Sequence, residues 1–280
     1  MKTKLVKVLG LSLLFFVSYA QGEGKVLRMA TTTSTENSGL LKHLLPSFEA
    51  KCGCRVDVIS VGSGKAMKLG ANGDVDVVLV HSRSDEDKFI AAGHGVNRRD
   101  VMYNDFVIVG PKADPAAVRG AGSVGEAMKK IAAAKSKFIS RGDESGTHKM
   151  ELALWKAASL EAGGPWYVST GQGMGEVLTI AAQMEGYTLT DRATLSAYRS
   201  KTSLEILVEG DAKLFNPYGV IAVSPQKYPA VNFSGATQFI DWLTSDDGQK
   251  RVADFKINGE QLFFPSAKQT LAAPAPATVK

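Results

Sequence analysis

Apolar and polar positions along this chain follow two periods, and the period switches repeatedly. Short runs rich in Val, Ile, Leu and Tyr predict strands at residues 26–30, 55–61, 75–81, 105–109, 137–140, 167–169, 204–209 and 218–223. Between them, apolar residues recur at spacings of three and four. These segments predict helices at 39–50, 65–71, 85–92, 124–134, 147–158, 175–185, 191–200 and 235–244. Strands alternating with helices imply an α/β fold with largely parallel sheets. No repeat on the scale of roughly 20–50 residues is visible, so a solenoid or propeller is not indicated.

The junctions carry the candidate chemistry. In Phe138-Ile-Ser-Arg-Gly-Asp-Glu-Ser-Gly-Thr-His-Lys-Met-Glu-Leu152 a short strand enters a turn of hydroxyl and glycine residues and then a helix. The first N–H groups of a helix have no partner within it, and the helix dipole makes that end positive. Ser145, Gly146 and Thr147 would present such N–H groups and two hydroxyls, while Arg141 adds a planar donor fork suited to an oxyanion. The arrangement recurs. Strand 26–30 runs into Thr31-Thr-Thr-Ser-Thr-Glu-Asn-Ser38, and strand 55–61 into Gly62-Ser-Gly-Lys-Ala66. Several donor-rich turns of this kind point to one small anion. A helix cap alone needs a single hydroxyl, not the run Thr31–Ser34.

Other readings fit less well. Gly62-Ser-Gly-Lys65 lacks the spacing of a nucleotide phosphate loop, and Gly171-Gln-Gly-Met-Gly175 lacks that of a dinucleotide fingerprint. Ser145 with His148 invites a hydrolase reading, but no nucleophile elbow accompanies them. His43, His81 and His94 are scattered and suggest no metal site, so neither a metal nor a catalytic set is expected. Tyr187-Thr-Leu-Thr-Asp-Arg192 reads as a polar turn before a helix, with Asp191 as its cap and Arg192 free to pair with an acid.

Residues 1–20 combine Lys2, Lys4 and Lys7, an apolar stretch over 8–17 and Ser18-Tyr-Ala20, which predicts a cleavable secretory signal. The uncharged run over 8–21 is too short to span a bilayer. Loss of three lysines from a net charge of +5 leaves about +2, which gives no case for nucleic-acid binding. The remaining chain, roughly 260 residues, exceeds what one core usually serves, so two domains are expected. Two apolar stretches, 104–111 and 215–223, read as crossovers. They would divide the chain into one lobe of 21–108 plus 218–270 and another of 109–217, with a cleft at the strand ends. Cys52 and Cys54 could close a small loop, pair between chains or stay reduced. The Ala-Pro segment from residue 271 is expected to be a disordered tail.

Together these segments resemble the periplasmic tungstate-binding proteins (TupA type), the solute receptors of tungstate ABC transporters. The stretches that carry the resemblance are Thr31-Thr-Thr-Ser-Thr35, Val61-Gly-Ser-Gly-Lys-Ala66, Asn97-Arg-Arg-Asp-Val-Met-Tyr-Asn-Asp-Phe106 and Ser140-Arg-Gly-Asp-Glu-Ser-Gly-Thr-His148. Trp166-Tyr-x-x-x-Gly-Gln-Gly-Met174, Tyr187-Thr-Leu-Thr-Asp-Arg192 and Leu214-Phe-Asn-Pro-Tyr218 complete it. The resemblance implies a two-lobed type II periplasmic binding protein fold, with two mixed α/β domains joined by a two-strand hinge. It also implies a periplasmic, non-catalytic monomer that holds a tetrahedral oxyanion in the cleft and delivers it to a membrane permease. The implied ligand is tungstate. Receptors for molybdate, sulfate or phosphate are the alternatives, and a secreted phosphoesterase is the more distant one; no cofactor is implied. The ligand-binding residues carried over are Thr32, Thr33, Ser34, Ser63, Arg141, Ser145, Gly146 and Thr147.

Overall fold

The structure is a computed structural model that describes residues 25–269. The expected signal at 1–20 and the expected tail from 271 lie outside the described residues. The chain opens with β1 (Lys25–Thr32), the short α1 (Thr33–Asn37), α2 (Leu40–Cys52), β2 (Cys54–Val61), α3 (Ser63–Asn72), β3 (Val77–Val80) and α4 (Arg83–Ala91). β3 is buried along its whole length, as a strand covered on both faces must be. Next come β4 (Gly95–Gly110), α5 (Val124–Ala133), β5 (Phe138–Ser140), α6 (Gly146–Ala157), β6 (Tyr167–Ser169) and α7 (Met174–Gln183). β7 (Thr188–Asp191), α8 (Arg192–Ala197), β8 (Glu205–Val208) and β9 (Phe215–Val223) lead to α9 (Phe233–Leu243) and α10 (Asp246–Asp254). Three short strands, β10 (Lys256–Ile257), β11 (Glu260–Gln261) and β12 (Phe264–Pro265), end the described chain.

The main sheet runs β12-β4-β9-β3-β1-β2. It is mixed and not largely parallel: β1 lies parallel to β2 and β3, whereas β9 is antiparallel to both β3 and β4. β4 is the element that the sequence reading shortened most. Its first part, with polar Asn97, Arg98, Arg99 and Asp100, pairs with β9. Its apolar end, Phe106 to Val109, pairs instead with β7, and Ile108 to Gly110 also with β8. β7 itself is a strand where a polar turn was expected. All four residues are buried, and Thr188 Oγ1 and Thr190 Oγ1 donate to carbonyls, so the hydroxyls carry no desolvation penalty. α10 was not predicted because only Val252 anchors its apolar side. Its cap Ser245 accepts from Gly248 N, and Gln249 Nε2 donates to Val101 O and Leu243 O.

The apolar cores fall into two pairs. One pair gathers Leu27, Met29, Leu44, Val101, Val220, Trp242 and Phe263 on one side, and Ala30, Val78, Phe89 and Ile221 on the other. The second pair gathers Phe106, Ile108, Phe138, Trp155 and Leu189, and separately Val107, Val109, Ile139, Val177 and Leu195. β4 supplies both pairs, passing from the first to the second between Met102 and Phe106. Cys52 and Cys54 form a disulfide across Gly53, whose positive φ of 59° ends α2 and turns the chain into β2.

Candidate functional site

At the end of β5, Gly142 (φ 60°) and Glu144 (φ 58°) reverse the backbone so that Ser145 can cap α6. Ser145 Oγ accepts the N–H of His148 at 3.2 Å. The same turn sends Arg141 inward, where it is 1% exposed. It is not a surface arginine. Its Nη2 donates to Asp143 Oδ2 at 2.6 Å and to Thr33 Oγ1 at 2.9 Å, so one guanidinium nitrogen ties the β5–α6 junction to the β1–α1 junction. Burial pushes the Asp143 carboxyl up, but the Arg141 charge and the Ser145 hydrogen bonds outweigh it and hold the group below the usual carboxylate range.

The α3 junction closes on the same place. Ser63 Oγ accepts Gly146 N at 3.1 Å, and both residues are buried. A Cβ added at Gly146 would lie 2.9 Å from Ser63 Oγ and 3.1 Å from His81 Cε1, so only glycine allows this approach. Lys149 pairs with Asp85 across the same seam. The N-cap of α7, Gly173, sits beside Thr33. The starts of α1, α3, α6 and α7 are thus linked to one another: Arg141 bonds Thr33, Gly146 bonds Ser63, and Gly173 lies beside Thr33. Thr32 Oγ1 accepts Thr35 N at 3.3 Å, which makes it the cap of α1, and it bonds the Ser34 hydroxyl at 3.0 Å.

Among the described residues, six buried side-chain atoms lack a hydrogen-bond partner. Four of them, Arg141 Nε and Nη1, Thr147 Oγ1 and Asp191 Oδ2, belong to this region. Leaving charged donors unmade in a buried place is costly, so such a cluster marks a place built for another polar group. A hydrogen-bonded chain borders it. Ser34 Oγ approaches His81 Nε2 at 3.4 Å, His81 Nδ1 meets Asn216 Oδ1 at 2.8 Å, and Asn216 Nδ2 donates to Asn104 Oδ1 at 2.6 Å. Asn104 Nδ2 then reaches Asp191 Oδ1 at 3.5 Å. Because Asn216 spends its amide donor on Asn104, its oxygen faces His81, and the imidazole proton belongs on Nδ1. Burial, reinforced by the Arg141 charge, lowers the His81 pKa to about 4, so the ring is neutral near pH 7.

All eight predicted residues thus lie around one spot, but not in one role. Arg141 Nε and Nη1 and Thr147 Oγ1 hold donors without partners there, whereas the Ser145 N–H donates to Asp143 Oδ1 at 3.2 Å and the Gly146 N–H to Ser63 Oγ. Thr32 and Ser34 spend their hydroxyls largely on each other and on the cap. Reading the sequence missed His81, Asn104 and Asn216 as partners, while the Arg141–Asp143 pair was one it could offer. Only Asp143 carried a local signal, an acid two residues after the arginine; the other three meet through strand pairing. Asp191 caps α8 as expected, accepting Thr194 N at 2.8 Å, and Arg192 pairs with Asp105 and Glu209, each at 2.6 Å.

Ser145 and His148 are not arranged as nucleophile and base. Ser145 Oγ is spent on the helix cap, and His148 Nδ1 accepts Glu144 N at 3.1 Å, so the two side chains do not form a dyad. Among the described residues no group of three or more His, Cys, Asp or Glu could hold a metal ion. No described helix is long and apolar enough to cross a membrane. A cavity of about 470 Å³ lined by Phe48, Lys51, Cys52, Gln238, Asp241, Trp242 and Ser245 contains none of these donors.

A family model for the PBP superfamily domain matches residues 20–247. A tungstate-binding protein of Peptoclostridium acidaminophilum is 46% identical over 255 residues, spanning 90% of this chain and 89% of that protein. The solved structure of the tungstate ABC transporter from Geobacter sulfurreducens is 56% identical, covering 82% of this chain and 98% of that one with a TM-score of 0.77. The tungstate-binding protein of Desulfovibrio alaskensis G20 is 48% identical, covering 87% of this chain and all of that one, with a TM-score of 0.72. The chain belongs to the periplasmic binding protein superfamily, in its tungstate-binding protein family, and it has the two-lobed type II fold.

Proposed function

We propose that this chain captures tungstate between its lobes in the periplasm and hands it to the membrane permease of an ABC importer, as a monomer and without catalysis. The observation that carries the reading is the set of buried, unpartnered donors, Arg141 Nε and Nη1 with Thr147 Oγ1, at the β5–α6 turn and the first turn of α6. Burying a dianion costs many kcal/mol unless donors replace its hydration, and fixed N–H groups with a guanidinium supply that replacement. Thr32, Thr33, Ser34 and Ser63 serve from one lobe, residues 21–108 with 218–270. Arg141, Ser145, Gly146 and Thr147 serve from the other, residues 109–217. The division of the apolar cores into two pairs supports these boundaries, with β4 and β9 as the hinge.

A ligand held by both lobes favours the closed arrangement by its differential affinity for it. Calorimetry of desalted protein against tungstate, molybdate, sulfate and phosphate should show one tight site per chain for tungstate. Scattering should show a modest fall in radius of gyration at saturation. Tight binding of phosphate or sulfate with no response to tungstate would refute the ligand assignment, and an unchanged radius with tight binding would refute closure.

A further inference from the structure

Asp191 is fully buried beside the proposed anion site, where a carboxylate is electrostatically out of place. Its Oδ1 accepts Thr194 N at 2.8 Å and faces Asn104 Nδ2 at 3.5 Å, while Oδ2 has no partner. Thr194 Oγ1 in turn donates to Ser34 O at 3.2 Å, which joins the α8 cap to the predicted hydroxyl run. Resting on the anion-binding reading above, we propose that Asp191 is a specificity-determining residue: capture of a fully deprotonated tetrahedral dianion transfers one proton from solvent to Asp191 Oδ2, which then donates within the site.

The charge count drives the uptake. Arg141 is the one buried arginine or lysine among the described residues, and Asp143 already neutralises it at 2.6 Å. With Asp191 ionised, the charges of Arg141, Asp143 and Asp191 sum to −1, so an incoming dianion makes −3; one proton reduces this to −2. The groups around Asp191 offer no second cation. Arg192 is committed to Asp105 and Glu209, His81 is neutral, and Tyr218, buried beneath Asp191, is held in its neutral phenol form. Glu36 and Glu176 on neighbouring helices add only negative charge. Arg141 acts favourably on the Asp191 carboxylate, but burial dominates and raises its pKa.

Glu151 is the main rival for the proton. Its oxygens already accept from Ser140 Oγ at 2.7 Å, Tyr167 Oη at 2.7 Å and Trp155 Nε1 at 3.2 Å, so protonation there disturbs a complete set of bonds. Protonating Asp191 Oδ2 disturbs none. The consequence is selectivity that depends on pH. An anion that carries its own proton can donate to ionised Asp191, whereas a bare dianion must draw a proton from solvent.

The test is calorimetry in buffers of different ionisation enthalpy, with Kd measured from about pH 6.5 to 9. Wild type should take up as much as one proton per tungstate, and Kd should weaken by up to about tenfold per pH unit. Asp191→Asn keeps an oxygen for the Thr194 cap and substitutes a permanent donor, so it should bind with no uptake and a flat pH profile. Asp191→Ser, also a competent cap, provides the same comparison if the Asn variant melts abnormally. Tight tungstate binding by wild type with no uptake would overturn the proposal and leave the anion reading intact. Equal uptake in wild type and Asp191→Asn would assign the proton elsewhere and also overturn it. If tungstate gives no binding signal, molybdate and sulfate serve as the bare dianions; failure of all three would overturn both readings.

Discussion

Truncating Arg141 to alanine tests the site most directly, and the structure sets the size of the effect. One nitrogen, Nη2, is already committed to Asp143 and Thr33, so its loss is an internal matter of the protein. The two nitrogens without partners, Nε and Nη1, are those available to an oxyanion. A hydrogen bond from a charged donor contributes roughly 1.5–3 kcal/mol, so two together contribute about 3–6 kcal/mol. Affinity should therefore fall by a factor of about 10² to 10⁴. The unliganded fold should change little, because the Asp143 side chain is 15% exposed and can recruit water once its partner is gone. Arg141→Lys should recover only part of the affinity, since an ammonium keeps the charge but not the fork. Calorimetry with tungstate, together with a melting curve of the free protein, reads both quantities. If Arg141→Ala folds normally and binds within tenfold of wild type, the unpartnered nitrogens do not hold the ligand and the site lies elsewhere.

Gly146→Ala would press a methyl against Ser63 Oγ and His81 Cε1, both held by hydrogen bonds, so closure should be penalised by about 1–3 kcal/mol. Tungstate affinity should drop about tenfold to a hundredfold with the free melting temperature unchanged; an unaltered Kd would refute the close seam. Stability should depend on pH through two opposed groups. Burial raises Glu151 to about 7, so its contribution is present at low pH and lost as pH rises toward 7; burial lowers His81 to about 4, so its contribution is lost as pH falls from 6.5 toward 4. Glu151→Gln should unmask the His81 slope in urea titrations between about pH 6.5 and 4.5, and a profile parallel to wild type would contradict the assignment. Replacing Cys52 and Cys54 by serine opens a ring with one intervening residue. The chain-entropy cost is about 1–2 kcal/mol, and tungstate binding should persist.

The local grammar of this chain was legible in its residues. Alternating periods gave an α/β fold, and the hydroxyl- and glycine-rich junctions gave eight residues that do converge, because a strand followed by a helix start exposes N–H groups whatever surrounds it. A role for Arg141 was suggested by its place between an apolar strand and a Ser-Gly-Thr helix start, but its burial was not. What the sequence could not supply was direction and pairing. The mixed sheet, the shared strand β4 and the Thr188–Asp191 strand depend on which backbone edges meet, and polar residues enter a sheet interior only when distant carbonyls take their hydroxyl protons. The roles within the site were decided in the same way. His81, Asn104, Asn216 and Asp191 are separated by as many as 135 residues along a hydrogen-bonded pair, and no periodicity links them. Their hydrogen bonds fix which donors remain for an anion. Sequence determined the kinds of groups at each junction through local backbone geometry; the tertiary fold decided, by bringing those junctions together and burying them, which groups are already satisfied and which are not.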